Sequence, residues 1–195
     1  RELGATGDFL RLLMKQAVKT SKEVYTETRI AAKPISVASL AVRKLIDYNL
    51  ANDAAIVLVG AGETNTLVAK YLKKSGFTNF TIYNRTLEKA QILANYLGGK
   101  ALPLQDLAAH QEKISVLISC TSSTEPLITA SIWEGLNIDS SFPAVLIDLA
   151  VPNDVSLEVS SRADVEYISI ETLKHEVEKN LAFREAELSK ASELI

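Results

Sequence analysis

Gly60-Ala61-Gly62-Glu63-Thr64-Asn65 is the stretch whose residue types and spacing point most directly to chemistry. Two glycines one residue apart let a chain turn sharply and bring bare backbone close to an anion. Gly60 permits the turn, and Gly62 leaves no side chain between the main chain and a pyrophosphate. A helix starting here adds unpaired N–H groups and the positive end of its dipole. The apolar run Ala55 to Val59 before the turn reads as a strand buried on both faces, and Leu67 to Lys74 after it reads as a helix. Strand, turn and helix together form the frame that a dinucleotide fingerprint requires. Asn65 stands where that fingerprint has its third glycine, so the helix is expected to sit slightly further from the strand. A purely structural turn is the competing reading.

The next informative residues are Asn84-Arg85-Thr86, at the end of the second predicted strand. A domain for NADH usually places Asp or Glu there, to bond the ribose 2′-hydroxyl. An acid would repel a 2′-phosphate, whereas a guanidinium attracts it and can bond it twice. Arg85, with Asn84 and Thr86 as neutral donors, therefore favours NADPH. Two further strand ends should line the same cleft: Ser119-Cys120-Thr121-Ser122-Ser123 and Asp148-Leu149-Ala150-Val151-Pro152. Thr121 and Ser122 are the hydroxyls expected nearest the nicotinamide end. Cys120 follows an apolar strand with no His nearby, which reads as a buried thiol and not a nucleophile. His110 and His175 lack metal-ligand spacing and read as solvated. No metal site is expected.

These residues need a scaffold. Six short apolar runs alternate with helical periods, which implies an α/β fold: a Rossmann-type doubly wound parallel sheet with helices on both faces. Strand order 3-2-1-4-5-6 is expected. Asp8 reads as the N-cap of an opening helix and Ser36 as the cap of a second, after Pro34. The C-terminal segment reads as a long helix with Leu173, Val177, Leu181 and Leu188 as its apolar stripe. The division that follows is 1–50 for connecting helices, 51–169 for an NADP-binding domain, and 170–195 for the start of a linker or dimerisation helix. The chain's 195 residues include 47% hydrophobic and 23% charged residues, an ordinary globular balance. A net charge of −3 offers no general attraction for nucleic acid. One cysteine and the lack of a signal peptide point to the cytoplasm, and the absence of an initial Met suggests a fragment.

Taken together the motifs resemble the glutamyl-tRNA reductases. The matching stretches are Val24-Tyr25-Thr26-Glu27-Thr28, Ile35-Ser36-Val37-Ala38, Val59 to Thr64, Asn84-Arg85-Thr86, Ile118 to Ser122, Ile147 to Val155, and Asn180-Leu181-Ala182. The resemblance implies the central NADPH-binding domain of an oxidoreductase that converts glutamyl-tRNA to glutamate-1-semialdehyde in tetrapyrrole (porphyrin and heme) synthesis. It also implies a catalytic cysteine in a separate N-terminal domain, a homodimer, and a glutamate-1-semialdehyde aminomutase as partner. The motif around the family's nucleophile is absent here, so no catalytic residue is expected in this chain. Alternatives are the NADP-binding domain of a shikimate- or quinate-type dehydrogenase, with which Asn84-Arg85-Thr86 is shared, and a non-enzymatic nucleotide-binding module.

Overall fold

The computed structural model describes residues 7–30, 32–139 and 144–194, which fall into two compact units. The larger unit, residues 36–175, is organised by six strands: β1 (Ile56–Val59), β2 (Phe80–Asn84), β3 (Lys100–Pro103), β4 (Val116–Ser119), β5 (Ala144–Asp148) and β6 (Val165–Ser169). They form one sheet in the expected order β3-β2-β1-β4-β5-β6, and every pairing is parallel. β1, β4 and β5 are buried along their whole length, which explains why they are apolar except at their last residues, Ser119 in β4 and Asp148 in β5.

Alternation along the strands sends successive side chains to opposite faces. Val57, Val59, Tyr83, Leu117 and Leu146 share one core cluster with Leu107, Trp133 and Val159. Those last three come from a 3-10 helix (Leu104–Ala109) and two short helices absent from the sequence expectation, α5 (Ala130–Gly135) and α6 (Leu157–Ser160). The helices before them are α1 (Asp8–Glu27), α2 (Val37–Asp47), α3 (Glu63–Lys74) and α4 (Leu87–Leu97). Ser36 caps α2 as expected, its side chain accepting from the Ser39 N–H. α4 stops at Gly98, whose φ of 80° is left-handed.

His110 corrects one expectation. It is buried, not solvated: its Nδ1 lies 2.7 Å from the Tyr83 hydroxyl, with the rings edge to face. Burial lowers the imidazole pKa and pushes the Tyr83 phenol up to about 12, so the pair stays neutral.

The smaller unit combines residues 7–35 with 176–194. Gly7, not Asp8, occupies the N-cap position of α1; Asp8 lies in the first turn and pairs with Arg11 at 2.8 Å. The long helix α7 (Ile170–Glu193) begins directly after β6. Its stripe differs from the expected one, since Leu181 and Leu188 are exposed while Asn180 and Glu187 are buried. Both buried polar groups hold the segment after α1: Asn180 Nδ2 donates to the Pro34 carbonyl at 2.9 Å, and Glu187 Oε2 accepts from the Arg29 N–H at 2.8 Å. Backbone groups left unpaired by that non-helical segment are thereby satisfied.

Candidate functional site

A cleft of about 460 Å³ opens along the carboxyl ends of β1, β2 and β4. In an open α/β sheet this is the place where the strand order reverses and ligands collect. Most of the residues singled out from the sequence line it, but Asn65, Ser119 and the stretch Asp148 to Pro152 do not, since Asn65, Ser119, Asp148, Leu149 and Ala150 are buried in the fold. Gly60, Ala61, Gly62, Glu63 and Thr64 form one wall, Asn84, Arg85 and Thr86 a second, and Cys120, Thr121, Ser122 and Ser123 a third.

The two glycines do different work. Gly60 has φ +95°, and a Cβ there would lie 2.2 Å from the Cys120 carbonyl oxygen. The fold itself therefore demands glycine at this position. We expect Gly60→Ala to lower stability by about 3 kcal/mol, combining left-handed strain with overpacking, measured by denaturant titration. Gly62 has an ordinary φ of −79°, and a Cβ there would meet nothing within 4 Å. No neighbouring protein atom excludes a Cβ at Gly62, and Gly62 lines the cleft.

α3 starts at Glu63, four residues earlier than the periodicity indicated. Its first-turn N–H groups therefore stand at the cleft wall. Asn65, expected in the cleft, is instead buried inside α3 and does not line it. Its side-chain amide donates at 2.8 Å to both the Val59 and the Gly60 carbonyls. The substitution for glycine thus stitches helix to strand through hydrogen bonds.

Asn84 is also committed to the protein. Its Oδ1 accepts from the Ala61 N–H at 3.1 Å and its Nδ2 donates to the Thr86 carbonyl at 2.8 Å. It clamps the glycine turn to the Arg85 wall. Thr86 takes the N-cap position of α4, but its side chain makes no capping bond. Arg85 is exposed at the rim, and so is Lys89 in the first turn of α4, a cleft residue that sequence reading missed. Its spacing four residues after Arg85 was the available signal.

The third wall is built from long range. Asp154, fully buried, accepts from Ser119 Oγ at 2.6 Å, the Thr121 N–H at 2.8 Å and Thr121 Oγ1 at 2.6 Å. Asp148, also fully buried, accepts from the Ala150 and Val155 N–H groups at 3.0 Å each. Burial pushes its carboxyl pKa up, and the backbone donors pull against that. Cys120 is half-buried; burial raises its thiol pKa, and its Sγ lies 3.5 Å from the Leu149 carbonyl. A thiol held in this state supplies little thiolate near neutral pH. Among the described residues no cluster suits a metal ion, and no helix is long and apolar enough to cross a membrane.

The family model for shikimate / quinate 5-dehydrogenase matches residues 40–176, the strands and the cleft together. The chain belongs to that family. The similarity also extends over the whole chain to glutamyl-tRNA reductases. Those of Marinobacter nauticus and Xanthomonas oryzae pv. oryzae are 37% and 38% identical, each matched across 100% of this chain and 46% of its own length. The chain therefore spans about half the length of these relatives. A solved structure described as glutamyl-tRNA reductase from Methanopyrus kandleri superimposes with a TM-score of 0.80 and 32% identity, over 98% of this chain and 49% of that one. The nucleotide binding domain of the Thermoplasma volcanium enzyme shares the fold, with a TM-score of 0.59, 20% identity, and coverage of 78% of this chain and 99% of that one. The resemblance read from the motifs is borne out.

Proposed function

We propose that this chain is the NADPH-holding part of a glutamyl-tRNA reductase. The observation that carries the proposal is the reach of the similarity. It runs through residues 1–39 and 177–195, which the shikimate / quinate 5-dehydrogenase model leaves out, and continues at 37–38% identity across the full chain. The cleft suits the cofactor on independent grounds. The open space beside Gly62 admits a pyrophosphate, the start of α3 faces it, and Arg85 and Lys89 give the rim two cations for a 2′-phosphate. Thr121 and Ser122 stand on the β4 side, where the nicotinamide end would lie.

NADPH, when bound, supplies the hydride. The chain's own residues bind and orient: Gly62 admits the phosphates, Arg85 selects the 2′ position, and Asn84 fixes the walls against each other. The acyl group awaiting reduction needs a nucleophile, and Cys120, with its raised pKa, is a poor one. That role falls to the portion of the relatives that this chain does not span. The aldehyde product, its transfer to an aminomutase, a cytoplasmic setting and a homodimer built from the α7 segment all belong to this same reading.

A chimera tests it. This chain should replace the matching segment of the Marinobacter reductase, and the product should reduce glutamyl-tRNA with NADPH while the chain alone does not. A shikimate- or quinate-type activity is the competing reading, favoured by the family model. A folded chimera that binds NADPH yet leaves glutamyl-tRNA untouched would count against the reductase reading and favour the competitor.

A further inference from the structure

The loop from Ser119 to Ile128 carries the β4 wall of the cleft, and Asp154 holds it at both ends. The side chain takes the three bonds from Ser119 and Thr121. The main-chain carbonyl of the same residue accepts from the Leu127 N–H at 2.7 Å and the Ile128 N–H at 2.8 Å. With its proton on Asp154, Thr121 Oγ1 accepts from the Ser123 N–H at 3.1 Å, which fixes the next turn of the loop. Asp154 itself is inaccessible to solvent and lies off the cleft surface. A carboxyl group buried with three donors and, among the described residues, no ion-pair partner is an expensive arrangement to build unless those donors need it.

Sheet order decides which half of a dinucleotide this loop serves. β2, with Arg85, lies on one side of β1, and β4 and β5 lie on the other. The adenosine end belongs over the β2 side and the nicotinamide end over the β4 side. We infer that Asp154 is a positioning residue that shapes the nicotinamide half of the cleft, through the loop it clasps, and leaves the adenosine half alone. The inference rests on the NADPH reading given above.

The test compares a whole cofactor with half of one. Asp154→Ala should bind NADPH roughly tenfold more weakly while holding adenosine 2′,5′-bisphosphate within about twofold of the unaltered chain. Ser119→Ala removes one bond at a buried residue outside the cleft and should shift the same ratio by about threefold. It decides the matter alone if Asp154→Ala does not fold. Equal weakening of both ligands would mean a general structural role and overturn the inference, as would no change in either. If the unaltered chain binds neither ligand, the NADPH reading fails first and takes this inference with it. If it binds both and the ratio holds in the variants, only the inference fails.

Discussion

Gly62→Val is expected to abolish NADPH binding, weakening it more than about 100-fold, or about 2.7 kcal/mol, while the fold and its melting temperature stay as they are. The backbone at Gly62 is not left-handed and no protein atom lies within 4 Å of the missing Cβ. The Cβ of a valine there meets no protein atom, and its two methyl groups are expected to take up space at the start of α3, where the proposed pyrophosphate site lies. Nicotinamide fluorescence reports the binding and circular dichroism the fold. Normal binding with an unchanged spectrum would show that the dinucleotide lies elsewhere. The neighbouring glycine gives the contrast, since Gly60→Ala should damage the fold itself.

Arg85→Ala should remove most of the preference for NADPH over NADH. One charge-assisted contact to the 2′-phosphate is worth roughly 1.5–3 kcal/mol, or about 10- to 150-fold. Affinity for NADH, which has no such phosphate, should hardly move. Lys89 on the same rim leaves a residue of preference, so the Arg85→Ala, Lys89→Ala double variant should bind the two cofactors alike. Both cations are exposed, so the preference should also shrink as salt rises. Parallel titrations with both cofactors at two ionic strengths measure this. Equal affinities in the unaltered chain would sink the 2′-phosphate assignment.

The sheet and the glycine turn were legible because their signals are local. A parallel strand covered on both faces is near-continuously apolar, and the runs within Ala55 to Val59, Ser115 to Ser119 and Ala144 to Leu149 display that without reference to partners. The arginine after β2 was equally plain, since the ribose is read there in any fold of this order. What escaped depends on distance or brevity. α5 and α6, at six and four residues, are too short for a helical period to declare itself. Asp154 gains its meaning from residues 33 and 35 positions away. The burial of His110 depends on Tyr83, 27 positions earlier. α7 misled for a physical reason: Asn180 and Glu187 satisfy the Pro34 carbonyl and the Arg29 N–H, so the polar positions turn inward and Leu181 and Leu188 turn out.

Asn65 carries a consequence for anyone who would redesign this turn. Restoring the missing third glycine would complete the fingerprint on paper. It would also cut both bonds by which the helix start is fastened to the end of β1, and add the flexibility that glycine brings to a helix interior. With Asn65 in place, the donors proposed to meet the phosphates are already locked in position, and the entropy of ordering them is spent in folding and not in binding. Fidelity to the motif and quality of the site pull in opposite directions at this residue.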